Sequence, residues 1–187
     1  MKRLILILAL ALAAVWTLGA QNAASSGEWL YIDKGKMQMT LFSASNKPLM
    51  VFPVGIGMTA GNKRSAYDGR TPEGDDFTVQ RIQNFSHVTF DYQDGKGPVY
   101  AYGPWFFRLK TGWKSIGIHG TDRPWTIGKR DSHGCIRMYN EDLVKLKPRV
   151  YVGMKVVIVP GAEDLRADGK ITEDEYRVLR QKETSGE

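Results

Sequence analysis

Two neighbouring segments of the chain are predicted strands, and the second shows alternating apolar and polar residues. They are segment 28–33, Glu-Trp-Leu-Tyr-Ile-Asp, and segment 37–42, Met-Gln-Met-Thr-Leu-Phe. Alternation with a period of two is typical of a β-strand that has one buried face. The intervening sequence Asp33-Lys34-Gly35-Lys36 is a turn signal. The pattern therefore predicts a β-hairpin at the start of the folded part of the chain.

Further short apolar segments, bounded by glycine, proline and polar turn residues, continue the same pattern. They predict strands at 48–57, 77–82, 103–110, 114–119 and 151–159. Pro53 lies inside the first of these, which places that strand at a sheet edge or at a bulge. The 20 glycines and 8 prolines also favour a turn-rich β fold over a helical bundle.

One short helix is predicted within this β-rich region. Asn140 is a good N-cap residue, and Glu141 and Asp142 suit the positive end of a helix. Pro148 ends the helix near Lys147, because proline cannot continue the hydrogen-bond ladder. The expected fold class is therefore mainly β with one short helix.

The two ends of the chain differ in character from the middle. Residues 1–20 combine a basic start with an apolar run from 4 to 18, which is typical of a secretory signal, with an uncleaved anchor as the alternative. Residues 21–27 form a flexible leader, and residues 28–160 form the predicted domain. Residues 161–187 form a charged helical tail. The chain is therefore expected to be exported to the periplasm or cell envelope.

The tail carries two competing patterns. Thr172-Glu173-Asp174-Glu175 is a capping-box sequence, which predicts a helix that runs to about Lys182. The stretch 164–175 also resembles a calcium-binding loop, but Arg166 stands where an oxygen ligand is needed. We therefore expect a capped helix and no metal ion there.

The formal net charge is +6, and about +4 remains without the two cations of the signal segment. A mildly basic protein suits work beside an anionic envelope polymer, and ordinary surface charge explains the value equally well. The chain has no basic run interleaved with aromatic residues, so nucleic-acid binding is not expected.

The chemistry-bearing residues cluster between 118 and 138. This segment holds the single cysteine, Cys135, and two of the three histidines, His119 and His133. A thiol beside an imidazole can form a nucleophile, because the imidazole accepts the thiol proton. The same three side chains could instead hold a zinc ion with one open position. The Ser-His-Gly-Cys context of Cys135 argues against the zinc alternative.

The segment closely resembles the motif of the L,D-transpeptidase family, that is, the YkuD-type catalytic domain. The matching residues are His119-Gly120 and, after a loop, Ser132-His133-Gly134-Cys135. Thr71-Pro72-Glu73-Gly74 resembles the family's Thr-Pro-x-Gly turn. The resemblance covers about residues 28–160. It implies two packed sheets with a barrel-like closure, with the short helix near the site.

The resemblance also implies residue roles. Cys135 is expected to be the nucleophile that forms a thioester, and His119 its general base and later the acid for the leaving amine. The carbonyl of Gly120 is expected to orient the imidazole. Backbone amides at Gly134 and Cys135 are expected to form an oxyanion hole.

Other residues of the motif have supporting roles by the same resemblance. Ser132 and His133 are expected to support the site beside the nucleophile. Arg137 is expected either to fix the loop or to meet a substrate carboxylate, for which its planar fork is suited.

The substrate groove has three candidate residues, chosen by their position in the chain. Trp125 lies in the loop between His119 and Cys135, and Tyr67 and Arg70 lie in a polar loop that could face the cleft. Aromatic residues in such places are more often part of the core or its rim, so this assignment is an expectation only.

The implied function is acyl transfer on peptidoglycan stem peptides. The enzyme would cleave the bond between the diamino acid at position three and D-alanine and form 3-3 cross-links, as a monomer without a metal or organic cofactor. The same site could instead use water, as an L,D-carboxypeptidase or hydrolase, or attach an envelope lipoprotein. A protein of another class, a catalytically silent peptidoglycan-binding protein, is the remaining alternative.

Overall fold

The computed structural model describes residues 27–185 of the chain. The predicted signal segment, residues 1–20, lies outside the described residues. The strands are β1 (Trp29–Asp33), β2 (Gln38–Phe42), β3 (Pro48–Pro53), β4 (Ile56–Gly57), β5 (Gly74–Asn84), β6 (Trp105–Lys110), β7 (Gly117–His119), β8 (Arg130–Ser132), β9 (Ile136–Arg137) and β10 (Lys155–Val159). The α-helices are α1 (Asn140–Leu146), α2 (Ala162–Ala167) and α3 (Glu173–Ser185), with 3-10 helices at Pro124–Thr126 and Lys147–Arg149.

A curled eight-stranded sheet forms the scaffold, in the order β3-β2-β1-β10-β5-β6-β7-β9. Strand β10 lies between β1 and β5, pairing in parallel with the former and antiparallel with the latter. A second, small sheet consists of β4 and β8 in parallel. The mainly β class predicted from the sequence is therefore confirmed, and most of the β structure lies in one sheet.

The predicted elements differ from the observed ones mainly at their ends. The predicted hairpin is present as β1 and β2, with Asp33 opposite Gln38. The segment predicted as one strand, 48–57, divides into β3 and β4. Strands β8 and β9 were not predicted, because strands of two or three residues are too short to show a periodicity.

One face of the sheet is apolar and carries the core. Leu30 and Ile32 of β1 are fully buried, and their partners across the sheet, Val156 and Ile158, are buried as well. Each such aliphatic side chain contributes roughly 1.5–3 kcal/mol when it leaves water. Burial alternates along β1, which is the pattern of a strand with one face in the core.

A lysine is buried under the loop that follows β4. Lys34 directly follows β1, and its side chain is fully buried. Its ammonium lies 2.7 Å from the Glu73 carboxylate and 2.9 Å from the Asp164 carboxylate. It also donates to the carbonyls of Gly61 (3.1 Å) and Thr71 (3.2 Å). A charge this deep is tolerable only because carboxylates and carbonyls surround it.

Asp164 of α2 joins the helical tail to this cluster. Its carboxylate accepts the amides of Gly61 (2.8 Å) and Gly161 (3.0 Å), and it lies 2.8 Å from the Arg130 guanidinium. Burial by itself raises the pKa of Asp164, but Lys34, the Gly161 amide and Arg130 outweigh burial and hold the pKa below its usual value. Asp164, the first residue of the calcium-loop pattern, is thus occupied by protein cations.

The rest of the tail is helical, as expected. Glu175 accepts the amide of Thr172 (2.7 Å), and the Glu175 amide donates to the Thr172 hydroxyl (3.4 Å), so the predicted capping box is present. Helix α3 packs on α2 and extends past Lys182 to Ser185. The predicted domain boundary at residue 160 stays a prediction. Among residues 27–185, no helix has the length and apolarity needed to span a bilayer.

Replacing Asp164 by asparagine is expected to lower the free energy of unfolding by about 3 kcal/mol, because the Lys34 and Arg130 charges lose their buried partner. Since the folded pKa of Asp164 is lowered, its contribution is complete above the unfolded carboxyl pKa of about 3.9. It is lost as the pH falls through the folded value. Urea unfolding followed by tryptophan fluorescence at pH 7 measures the change. Asp174→Asn is the matched control, since that side chain is 93% exposed. Equal midpoints for both variants would contradict the role of Asp164.

Candidate active site

Four strands carry a row of side chains across the sheet face opposite the core. Pairing places Gln83 opposite Phe106, Phe106 opposite His119, and His119 opposite Arg137. The adjacent residues Ile82, Phe107, Ile118 and Ile136 alternate onto the core face. Because alternation in a strand is strict, His119 must project away from the core, toward the outer face of the sheet.

The imidazole of His119 is held on three sides. Its Nδ1 lies 2.5 Å from the carbonyl oxygen of Gly120. Its ring stacks on Phe106 (centroids 5.4 Å apart, planes 7° apart) and meets the edge of Tyr102 (5.0 Å). A carbonyl can only accept, so Nδ1 carries the proton and Nε2 keeps a lone pair. His119 is thus oriented as a proton acceptor at Nε2.

The loop after His119 is fixed by Asn140. The Asn140 side-chain oxygen accepts the amide of Thr121 (2.9 Å). A Cβ on Gly120 would lie 2.1 Å from the same oxygen, so only glycine fits there. The prediction that Asn140 caps its own helix was wrong. Tyr139 occupies the N-cap position, and the side chain of Asn140 instead holds the loop that follows His119.

The Ser-His-Gly-Cys turn is closed by the hydroxyl of Ser132. Its Oγ donates to the carbonyl of Cys135 (2.6 Å) and accepts the amide of Gly134 (3.1 Å). Of the two amides expected to form an oxyanion hole, that of Gly134 is therefore already engaged. The backbone amide of Cys135 is therefore the remaining candidate for the oxyanion hole.

Gly134 is placed against the loop that holds the Thr-Pro-Glu-Gly turn. It has a φ of +127°, and a Cβ there would lie 2.7 Å from the carbonyl oxygen of Arg70. The buried hydroxyl of Thr71 donates to the carbonyl of Gly134 (3.0 Å) and accepts the amide of Gly57 (2.8 Å). One threonine therefore joins β4 to the turn that carries the cysteine.

Cys135 lies just before the strand that pairs with the strand of His119. It immediately precedes β9, which pairs with β7, the strand that His119 ends. Its thiol donates to the carbonyl of Ser115 (3.3 Å). The side chain is half-buried. The structure thus brings the predicted nucleophile and the predicted base to two paired parallel strands, with Cys135 in register with Gly117, two residues before His119.

Both groups are neutral at rest. Burial lowers the pKa of His119 from its usual 6.5 to about 4, with the Gly120 carbonyl acting in the opposite direction and Arg137 in the same direction. Burial raises the pKa of the Cys135 thiol, against the smaller opposing effects of the Gly117 amide and nearby cations. The pair at neutral pH is therefore a thiol and an imidazole rather than a thiolate and an imidazolium.

Arg137 fixes the loop between the two motif halves. Its Nη1 bonds the carboxylate of Asp131 and lies 3.3 Å from the hydroxyl of Thr126. Its backbone exchanges two hydrogen bonds with Gly55 (2.8 and 2.9 Å). Of the two roles expected for Arg137, these contacts match loop fixation.

The remaining predicted residues are exposed or brace a loop. Trp125 is 65% exposed on its 3-10 helix, and Tyr67 is 96% exposed. Arg70 donates from Nε to the carbonyl of Ala60 (2.9 Å) and lies near Asp68 (3.5 Å), so it braces its own loop. His133 is exposed. Their roles at a substrate groove stay predictions.

Three supporting residues were not singled out from the sequence. Phe106 and Tyr102 contact the imidazole, and Lys34 holds the loop that contains Thr71. Phe106 occupies an alternating position in a predicted strand, which gives its face but not its neighbour. Lys34 lies in a turn signal, where a charged residue is ordinarily solvated.

Comparison with known proteins agrees with this geometry. The family model described as YkuD, L,D-transpeptidase catalytic domain, matches residues 27–158. The chain is 29% identical to YqjB of Bacillus subtilis (strain 168) over 149 residues, 79% of each chain. It is 32% identical to YkuD of the same organism over 124 residues, 66% of this chain and 61% of the relative.

The fold is also similar to that of solved structures. L,D-transpeptidase 3 from Mycobacterium tuberculosis, in complex with a faropenem-derived adduct, superposes with a TM-score of 0.51 at 18% identity. The match covers 71% of this chain and 60% of that one. At this identity the likeness concerns the fold.

The lowered pKa of His119 predicts a specific loss of stability in acid. Between the unfolded pKa of 6.5 and the folded value of about 4, the unfolded chain binds the proton more tightly. The free energy of unfolding should therefore fall by about 2 to 3 kcal/mol from pH 7 to pH 4.5, at 1.36 kcal/mol per pKa unit. Urea unfolding at both pH values measures this.

The His119→Gln variant should lose most of that pH dependence. His133→Gln is the matched control, because His133 is exposed, and it should unfold with the pH dependence of the parent protein. The same pH dependence in the parent protein and in His119→Gln would contradict a buried, neutral His119.

Proposed function

Because the chain belongs to the YkuD family of L,D-transpeptidase catalytic domains, we propose that it transfers acyl groups on peptidoglycan stem peptides through a thioester on Cys135. The observation that supports this best is that Cys135 directly precedes β9, the strand paired with the one that ends at His119, whose Nδ1 is held by the Gly120 carbonyl. That arrangement leaves Nε2 free to accept a proton. The export predicted from residues 1–20 would bring the enzyme to its polymer.

The first half-reaction forms the thioester. Nε2 of His119 takes the thiol proton as the sulfur of Cys135 attacks the carbonyl between the third stem residue and D-alanine. The negative charge on the carbonyl oxygen is stabilised by the amide of Cys135. The C–N bond then breaks, and the imidazolium returns its proton to the departing D-alanine amine.

The second half-reaction resolves the thioester. An amine of a neighbouring stem attacks the carbonyl, His119 removes a proton from that amine, and the C–S bond breaks. The thiol is restored and a 3-3 cross-link results. The low pKa of His119 assists the first half-reaction, because a buried imidazolium is a strong acid that readily protonates the departing D-alanine amine.

The acyl-transfer reaction is tested with purified disaccharide-tetrapeptide, with the products identified by mass spectrometry. We expect a cross-linked dimer. Tripeptide alone would indicate that water is the acceptor, and unchanged substrate would indicate a silent binding protein and would overturn the proposal.

Replacing Cys135 by serine should abolish turnover, with a loss of at least about 10³-fold, because a hydroxyl is a far weaker nucleophile beside a neutral imidazole. Initial rates of dimer formation measure the effect. The exposed His87, which lies outside the motif, gives a control variant, His87→Gln, which is expected to keep its fold and its rate. Full activity of the Cys135→Ser variant would exclude the thioester mechanism.

A carbapenem should acylate Cys135 at neutral pH. The faropenem-derived adduct on the similar Mycobacterium tuberculosis enzyme supports this expectation. The protein mass should rise by one drug molecule, with the adduct on the peptide that contains Cys135. His119→Ala should slow the reaction strongly, since the proton acceptor is gone, and prior alkylation of the thiol should block it. Folded protein that stays unmodified in prolonged drug excess would contradict an activated thiol.

A further inference from the structure

Two arginines face each other on adjacent strands of the sheet. They lie two residues along the strands from the row that contains His119. Arg81 of β5 is paired with Arg108 of β6, and Arg108 is paired in turn with Gly117 of β7. Both arginines alternate with core residues, so they project from the same outer face as His119. Like charges directly opposite each other destabilise a sheet. The pair is therefore a cost to folding that calls for another explanation.

Neither arginine is neutralised by the protein. Within residues 27–185, no carboxylate lies within 4 Å of the guanidinium of Arg81 or Arg108, whereas Arg130 and Arg137 are both paired with acids. The Arg108 guanidinium lies 5.6 Å from the centroid of the Phe106 ring, the ring on which His119 stacks. Arg108 is thus held near the proposed base with its hydrogen-bond donors uncommitted to an acid.

A groove extends from Arg108 to Ser115, the residue whose carbonyl contacts the thiol. It has a volume of about 370 Å³ and is lined by residues that include Arg108, Lys110, Trp113, Lys114 and Ser115. The carbonyl of Ser115 is the group that accepts the Cys135 thiol at 3.3 Å. Lys63 approaches the same groove, with its ammonium 5.7 Å from the Trp113 ring. Cations thus outnumber acids in the groove beside the nucleophile.

We propose that Arg108, with Arg81 beside it, forms a binding site for the carboxylate on the second residue of the acyl-donor peptide. This inference rests on the proposed function, and it names the feature of the substrate that the groove selects. Arg137 is not available for this role, because its guanidinium is bound to Asp131. A guanidinium pair suits a carboxylate because each fork can donate two parallel hydrogen bonds.

The site is tested by binding, so that the result does not depend on turnover. A Cys135→Ala background prevents reaction. Two synthetic tetrapeptide stems are compared by calorimetry, one with a free carboxylate on its second residue and one with a carboxamide there. The parent background should bind the carboxylate peptide about tenfold more tightly, as a charge-assisted hydrogen bond would give.

The Arg108 variants locate the effect. Arg108→Gln should reduce the preference to about twofold or less, and Arg108→Lys should keep part of it, since a lysine retains the charge but not the fork. Lys47→Gln is the matched control, because it removes one positive charge from an exposed turn at the opposite edge of the sheet. It should bind like the parent. Urea midpoints verify that each variant is folded. If Arg108→Gln does not fold, Arg81→Gln replaces it in the binding comparison.

Equal affinity for the two peptides in the parent background would overturn the proposal, and so would an unchanged preference in the folded Arg108→Gln variant. These outcomes are separable from a failure of the proposed function. If the protein with Cys135 intact turns over substrate but the two peptides bind equally, the carboxylate site is rejected and the proposed enzyme activity stands. A carboxylate preference that depends on Arg108, without turnover, would support the site and remove the transferase.

Discussion

The buried ammonium of Lys34 is the interaction on which the arrangement of the site depends. It joins three parts of the chain that are far apart in sequence: the end of β1, the loop around Gly61 and Thr71, and helix α2 through Asp164. Removing a charge from water costs several kcal/mol, and that cost is recovered only when every partner is in place. The ion cluster therefore makes the folding of the loop depend on the docking of the tail, and the reverse. An apolar contact would not couple the two in this way.

A short series of contacts links this cluster to Cys135, the proposed nucleophile. The carbonyl of Thr71 accepts from Lys34, and the hydroxyl of the same residue donates to the carbonyl of Gly134. Cys135 follows directly. On the other side, His119 is fixed by its strand, by Phe106 and by the Gly120 carbonyl. The reacting groups are thus positioned by two independent supports, one ionic and one built on the sheet.

The sequence was sufficient for the fold class, the hairpin and the residues of the motif, because these depend on local patterns. Period-two alternation marks β2, an apolar run bounded by a turn marks β1, and a single cysteine near two histidines marks the segment of the motif. Contacts between distant segments could not be predicted. Lys34 lies in a turn of ordinary composition, and nothing in that turn indicates an aspartate 130 positions later. Asn140 resembled a helix cap because its partner, Thr121, lies on another element. Gly134 was expected to donate to an oxyanion, and its use by Ser132 becomes visible only in three dimensions.

The protonated state of Cys135 has a consequence for the lifetime of the protein. Peroxides attack the thiolate far more readily than the thiol, and a sulfenic acid without a second thiol nearby proceeds to irreversible sulfinic and sulfonic acids. This chain contains one cysteine, so no disulfide within the chain could intercept that damage. Burial raises the pKa of the thiol, and its proton is directed to the Ser115 carbonyl. In the proposed mechanism Cys135 loses its proton only as it attacks a bound substrate, so the thiol would be protected from oxidation for the rest of the time.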